Sequence, residues 1–212
     1  MKKGFTLIAL LVVITLIGIL AVAVLSALNP IEQINKARDA GRRSDAAQII
    51  SAIDRYYASN EEFPWNSSTA FGVNKIATID TAFKVTAEKA GVGICGVAAP
   101  GNPTTGVSSD ATGCTIDGLL ISSSELKSQF GKRKAFRTTP VAEDVFYVIK
   151  ETNDPSVAVC FIPSSKATRT DWAKLKRVDL AAPDSIIACP AAPAAGDWAV
   201  YTTACLVCIP EE

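Results

Sequence analysis

Residues 1–20 read MKKGFTLIALLVVITLIGIL. Lys2, Lys3 and Gly4 give way abruptly to Phe5, and from Phe5 to Leu28 no side chain carries a charge. As a helix that run is roughly 36 Å long at about 1.5 Å per residue, enough to cross a bilayer core of about 30 Å. Lys2 and Lys3 ahead of the span keep the short N-terminus cytoplasmic and send the bulk of the chain across. Three fates fit such a segment. A cleaved secretory signal would use Ala21-Val22-Ala23 as its small-residue site, but its apolar core should be about 7–15 residues long, and this one is longer. An uncleaved anchor needs only length and flanking charge. Neither accounts for the sharp boundary at Gly4–Phe5.

Gly4-Phe5-Thr6-Leu7-Ile8, then Leu10-Leu11-Val12-Val13-Ile14 and Ile17-Gly18-Ile19-Leu20-Ala21, closely resemble the class III leader and N-terminal helix of type IV pilins and type II secretion pseudopilins. The resemblance implies that a membrane-embedded prepilin peptidase cuts after Gly4 and methylates the new amino group of Phe5. Residues 1–4 are then a discarded leader, and residues 5–28 are kept as a transmembrane and filament-core helix. Phe5, Thr6, Leu7, Ile8, Ala9, Leu10, Leu11 and Val12 open this assembly helix, and Pro30 follows it. One position departs from the family. The usual glutamate at the fifth residue after the cut is Ala9 here. A carboxylate buried in lipid or fibre is expensive unless paired, and the family's partner for it is the free amino terminus of a neighbouring subunit. Ala9 cannot form that pair. Either this subunit sits where no such neighbour is available, or it assembles poorly, or the residue has been altered.

Beyond the span, Asn29-Pro30 predicts a kink or local melting, because proline lacks a donor and disfavours helical geometry in the residue before it. Residues 29–60 then read as an amphipathic continuation, with Ile49, Ile53, Tyr56 and Tyr57 recurring at helical spacing. Glu32 with Lys36 and Asp39 with Arg43 are opposite charges four apart; they predict a solvated helix face or contacts between subunits. Gly41 costs roughly 1 kcal/mol relative to alanine and marks a second soft point. The helix is expected to end near Asn60, before Glu61-Glu62-Phe63-Pro64. In the remainder, residues 61–212, Ala77–Ala90 and Ser122–Phe130 predict short helices, and residues 91–114 a loop. VFYVIK and SVAVCFI around ETNDP predict an antiparallel hairpin, while SIIAC and WAVYTTACLVCI supply the last strand candidates. The expected fold is α+β: a pilin-like lollipop, with a long N-terminal helix on a small antiparallel sheet head.

Formal net charge is zero and histidine is absent, which removes the commonest general base and metal ligand. No phosphate loop, nucleophile elbow or two-histidine zinc motif occurs, so no catalysis, cofactor or metal is expected. The six cysteines, Cys95, Cys114, Cys160, Cys189, Cys205 and Cys208, form an even set that suits an oxidising compartment. Cys205-Leu-Val-Cys208 has redox-motif spacing but lies in a candidate C-terminal strand, where structural pairing is the better reading. A four-cysteine zinc site would need two more thiolates at suitable spacing. Fifteen full pairings are possible; we expect Cys95–Cys114 to close the loop region, and Cys205 or Cys208 to tie the C-terminus to the sheet.

Charge is unevenly placed. Residues 125–177 hold eleven Lys/Arg against six Asp/Glu, and residues 178–212 hold five acids and no base. Lys132, Arg133, Lys134 and Arg137 form one basic cluster, and Lys174, Lys176 and Arg177 another. Some pilins bind DNA through an electropositive stripe, so the resemblance makes DNA a conceivable partner. The plainer reading is solvation, or pairing with Asp197, Glu211 and Glu212. The resulting expectation is a filament subunit, of a type IV pilus or a type II secretion pseudopilus. Its partners are other subunits, the prepilin peptidase, an assembly platform with its ATPase, and membrane lipid before assembly. It is expected in the inner or cytoplasmic membrane with its head outside the cytoplasm, then in an extracellular or periplasmic filament. The rival expectations are a membrane-anchored extracytoplasmic binding module that never polymerises, and a DNA-uptake minor pilin.

Overall fold

A computed structural model describes residues 6–27, 29–67, 70, 83–86, 90–97, 107–150, 156–178, 186–189, 191–194, 198 and 204–210. Its first element, α1 (Leu7–Ala27), consists of Leu, Ile, Val and Ala apart from Thr15, Gly18 and Ser26. Thr15 Oγ1 donates to the Val12 carbonyl at 2.9 Å, so its hydroxyl is satisfied within the helix. The window Leu7–Val24 is long and apolar enough to span a membrane, and none of it is buried by the rest of the chain. Leu7 is 86% and Leu20 64% exposed. The head therefore leaves α1 to be covered by something else.

The helix path breaks where Asn29-Pro30 predicts it. Asn29 is extended (φ −91°, ψ 90°) and caps the second helix, α2 (Pro30–Asn60), its side chain accepting from the Glu32 amide at 3.2 Å. Pro30 occupies the first turn, where its missing N–H costs nothing. The helix runs unbroken through Gly41, so the expected soft point there is not seen: a Cβ at Gly41 would meet nothing within 4 Å, and neighbouring turns hold the helix. It ends at Asn60, with Glu61 in the left-handed region (φ 56°) and its N–H bonded to the Tyr57 carbonyl at 2.7 Å.

Ile49, Ile53 and Tyr56 of α2 turn inward onto a four-stranded antiparallel sheet. Its strands β1 (Phe83–Thr86), β4 (Phe146–Lys150), β5 (Val157–Phe161) and β8 (Val207–Ile209) lie in the order β1-β4-β5-β8. Two small hairpins flank it: β2 (Ser109–Asp110) with β3 (Gly113–Cys114), and β6 (Lys176–Val178) with β7 (Ile186–Ala188). Two short helices, α3 (Leu119–Ser122) and α4 (Lys166–Thr170), pack against α2. Trp65, Phe136 and Phe161 are fully buried among them. The layout is α+β and lollipop-like: a long apolar helix, a second helix, and small antiparallel sheets.

The hairpin formed by β4 and β5 has the register Phe146↔Phe161 to Lys150↔Val157; its turn, residues 151–155, lies outside the described residues. Elsewhere two expectations are corrected. Within the stretch predicted as a helix over Ala77–Ala90, Phe83–Thr86 is a strand, paired from Phe83↔Lys150 to Thr86↔Tyr147; residues 77–82 and 87–89 lie outside the described residues. Phe-Lys-Val-Thr favours a pleated surface, and the free edge of β4 supplies the pairing. The helix predicted over Ser122–Phe130 is instead α3, ending at Ser122, and a 3-10 turn over Ser128–Lys132. Three consecutive serines follow the start of that prediction, and Ser124 takes a positive φ of 66°. Both of the last strand candidates hold strands: SIIAC supplies Ile186–Ala188, which pairs with β6, and WAVYTTACLVCI supplies Val207–Ile209 and a bridge at Leu206, its residues 199–203 lying outside the described residues.

Candidate functional site

Gly4 and Phe5 lie outside the described residues, which begin at Thr6. Thr6 works as an N-cap: its hydroxyl accepts from the Ala9 amide at 3.4 Å, and its carbonyl from the Leu10 amide at 3.2 Å. Sequence reasoning placed Thr6 in the motif but missed this local role, which a threonine ahead of an apolar run signals. Ala9 is partly exposed, whereas Leu7, Ile8, Leu10, Leu11 and Val12 stand open. A helix with this apolar surface, uncovered by its own head, fits lipid or a bundle of other helices.

A second constellation joins α2 to the head. Asp39 is 1% exposed. Its Oδ1 accepts from the Ser164 amide at 2.7 Å and its Oδ2 from the Ser165 amide at 2.9 Å. Two turns earlier on the same face, Glu32 accepts from the Lys166 amide and the Ala167 amide, each at 3.0 Å. Four consecutive N–H groups are thus held by two carboxylates seven residues apart. The Ala167 amide and then the Lys166 amide hold the Glu32 carboxyl below its usual range, with smaller help from the Lys36 charge. Arg42 completes the clamp, donating to Ser164 Oγ at 2.6 Å, the Ile162 carbonyl at 3.2 Å and Asp144 at 3.0 Å. For Asp39 this corrects the solvated face expected of these charges, while Lys36 is exposed. Asp39 lies 3.7 Å from Arg42, and its oxygens serve buried amides, because a charge in that position must be hydrogen-bonded to be tolerated. The signal available in the sequence was the spacing of Glu32 and Asp39, two turns apart on one face.

All six cysteines are paired, as Cys95–Cys114, Cys160–Cys208 and Cys189–Cys205, with Cα separations of 5.2, 4.0 and 5.8 Å. Cys160 and Cys208 are directly opposite each other on β5 and β8, so this bond fixes the last strand to the sheet. Cys205 and Cys208 therefore take different partners, and no thiolate remains for zinc. Among the described residues no group of three or more acids or cysteines is arranged to hold a metal.

The first basic cluster turns partly inward. Lys132 Nζ donates to the Cys114 carbonyl at 2.6 Å, and Arg133 pairs with Asp45 and lies over the Phe130 ring, 4.1 Å from its centroid. Lys134 and Arg137 are exposed beside it. In the second cluster, Lys174 and Lys176 line a groove of about 690 Å³ beside α2. Its other charged walls are Lys36, Arg43, Asp39 and Asp171. Asp171 meets Lys174 at 2.6 Å and raises the pKa of that ammonium. Asp197, Glu211 and Glu212 lie outside the described residues.

No curated protein matches the chain, and no solved structure matches it either. A family model does match at the N-terminus, over residues 1–25, the stretch that spans the charged leader, the Gly4–Phe5 boundary and most of α1. Residues 1–25 carry the prokaryotic N-terminal methylation motif, the class III leader found on type IV pilins and pseudopilins.

Proposed function

We propose that this chain is a structural subunit of a type IV pilus-like or type II secretion pseudopilus filament. Prepilin peptidase removes residues 1–4 by cutting after Gly4, and Phe5 becomes the N-methylated first residue. The helix from residue 5 to 28 anchors the subunit in the inner or cytoplasmic membrane, with the head outside the cytoplasm. It then leaves lipid for a bundle of equivalent helices, driven by an assembly platform and its ATPase. Residues 29–60 join that helix to the disulfide-linked head, residues 61–212. The chain catalyses nothing in this reading.

One observation carries the reading: the methylation motif opens onto a helix whose apolar surface the chain itself leaves uncovered. The test is the mature N-terminus. Mass analysis should find methylated Phe5, and Gly4→Val should leave the leader attached, because a side chain before the cut intrudes on the peptidase site. An intact Met1 in the native protein, or the same mature mass from Gly4→Val, would sink the proposal. Ala9 favours a second reading, a membrane-anchored extracytoplasmic module that does not polymerise, since the usual carboxylate contact is missing. Processed protein that is absent from sheared filaments would select it. A DNA-uptake minor pilin is the third reading. Lys134 and Arg137 remain exposed for DNA, and binding would weaken steeply with salt.

A further inference from the structure

The three disulfides differ in how they sit along the chain. Cys95–Cys114 joins the first two cysteines, ahead of all the others. The remaining two bonds are nested: Cys160–Cys208, with a separation of 48 residues, encloses Cys189–Cys205, with a separation of 16. Four cysteines allow three full pairings. Pairing in chain order would instead give Cys160–Cys189 and Cys205–Cys208. The native pattern requires Cys160 to pass over Cys189, and Cys205 to pass over Cys208.

Everything local favours chain order. Cys205 and Cys208 are three residues apart, against 48 and 16 for the nested pairs, and the entropy of closing a loop grows with its length. A chain that emerges N-terminus first also presents Cys160 and Cys189 to an oxidant before Cys205. The lead is 16 residues, about 1–3 s at about 5–20 residues per second. Only the finished sheet points the other way. Cys160 and Cys208 are opposite each other on β5 and β8, and Leu206 bridges Lys176. The extended chain there sets Cys205 and Cys208 about 10 Å apart, at about 3.3 Å per residue, whereas disulfide-linked Cα atoms lie within about 7 Å. A Cys205–Cys208 bond therefore keeps β8 from docking. Once β8 has docked, Cys160, Cys189, Cys205 and Cys208 are all at most 7% exposed, out of reach of another protein's thiol.

We infer that the unfolded head is a substrate for a thiol–disulfide isomerase, which acts on Cys205–Cys208 after a dithiol oxidase has closed the bonds in chain order. This rests on the reading that the head lies outside the cytoplasm. The oxidase takes two electrons and two protons for each bond. The isomerase then exchanges bonds with no net redox change. Its thiolate attacks the Cys208 sulfur, which breaks Cys205–Cys208 and frees the Cys205 thiolate. That thiolate attacks the Cys189 sulfur of Cys160–Cys189, forming Cys189–Cys205 and freeing Cys160. Cys160 attacks the Cys208 sulfur in turn, forming Cys160–Cys208 and returning the isomerase thiolate. Two disulfides enter and two leave. Docking of β8 then buries both new bonds and makes the exchange one-way. Cys95–Cys114 needs the oxidase alone.

The test is the disulfide map of the full chain made in cells that keep their envelope dithiol oxidase, with and without their disulfide isomerase. Thiols are blocked at lysis and the membrane fraction is digested unreduced. Tyr201 gives chymotrypsin a cut between Cys189 and Cys205, so a Cys205–Cys208 bond leaves its peptide linked to no other. With the isomerase, the nested pairs should be found in nearly all molecules. Without it they should fall to about a third or fewer, the share that indifferent pairing of four cysteines gives, while Cys95–Cys114 is unchanged. Removing either nested pair removes the conflict. Cys160→Ala/Cys208→Ala leaves Cys189 and Cys205 as successive cysteines, and Cys189→Ala/Cys205→Ala leaves Cys160 and Cys208 so. Both variants should pair equally in the two strains, whether or not they pack fully. An isomerase without its resolving cysteine should be trapped on the peptide holding Cys205 and Cys208, not on Cys95 or Cys114. Nested pairs formed equally in both strains, or double variants as dependent on the isomerase as the parent, overturn the inference and leave the exported head standing. Six free thiols in both strains would remove the exported head, and this inference with it.

Discussion

Removing the Asp39 carboxylate should cost more stability than any other change to a charged side chain described here. In Asp39→Ala the amides of Ser164 and Ser165 lose their acceptors, at 2.7 and 2.9 Å, in a site where the carboxylate is 1% exposed. An orphaned buried donor costs about 1–3 kcal/mol. Two of them give about 2–6 kcal/mol, against a typical domain stability of about 5–15 kcal/mol. Arg42 keeps Asp144, the Ile162 carbonyl and Ser164 Oγ, so no unpaired cation adds to the loss. Asp39 also borders the open groove, from which water can reach the vacated site, and that favours the middle of the range, about 3–4 kcal/mol. Asp39→Asn should cost about half as much, because one oxygen survives while its NH2 faces an N–H. Urea unfolding of the full chain in detergent measures this through the tryptophans, Trp65, Trp172 and Trp198, all of which lie in the head. Asp171→Ala is the control; its pair with Lys174 is exposed and screened by solvent, so its loss should leave the unfolding midpoint close to that of the parent. If Asp39→Ala unfolds within about 1 kcal/mol of the parent, the clamp is not what holds α2 to the head.

The neighbouring carboxylate gives a pH signature. Its folded-state pKa is lowered by the Ala167 and Lys166 amides, so its contribution is present above the ordinary carboxylate pKa of about 4.3 and is lost as pH falls through the folded value. Melting curves of the parent and Glu32→Gln should therefore stand apart near neutral pH and converge in acid; a constant gap would refute the assignment. For the disulfides, Cys160→Ala/Cys208→Ala opens the longest loop, a separation of 48 residues against 19 and 16. It should cost about 4 kcal/mol, against about 3 for either other pair, as chemical denaturation would show. Thiol labelling of unreduced native protein should find no free cysteine. Gly41→Ala should stabilise α2 by up to about 1 kcal/mol, since a Cβ there meets nothing within 4 Å; a lower melting temperature would contradict this. Ala9→Glu should increase incorporation into filaments, as the new carboxylate can pair with a neighbour's Phe5 amino group. Dense immunogold labelling along the shaft by the unaltered protein would show that alanine is tolerated there.

What the sequence made legible was local. The apolar run, the interruption at Asn29-Pro30 and the boundary after Asn60 each follow from a few adjacent residues, and so does the hairpin of two β-branched runs. The misses share a different cause. Phe83–Thr86 is a strand because β4, more than sixty residues away, offers it an edge, while its alanine-rich flank pointed to a helix. Lys176 and Arg177 stood out only as basic charges, and nothing local reported that their backbone pairs with Ala188 and Ile187. Asp39 looked like one half of an exposed pair with Arg43. The amides that bury it come from 125 and 126 residues further on, and no helical periodicity reports a partner at that distance. The methylation motif was readable because it is written in one short linear stretch, residues 1–25.

The position of the clamp decides where this molecule can turn. Glu32 is fastened to the head only two residues after Pro30, and the extended Asn29 ends the regular geometry on the other side. There is almost no lever arm between the first fastening point and the end of the membrane helix. A change in tilt between the two would therefore bear on the extended Asn29, like a gimbal set directly beneath the load. Lengthening the chain by one residue between Pro30 and Glu32 would leave the head intact, yet rotate everything below it by about 100°. The head would then face a different direction relative to the apolar shaft that carries it.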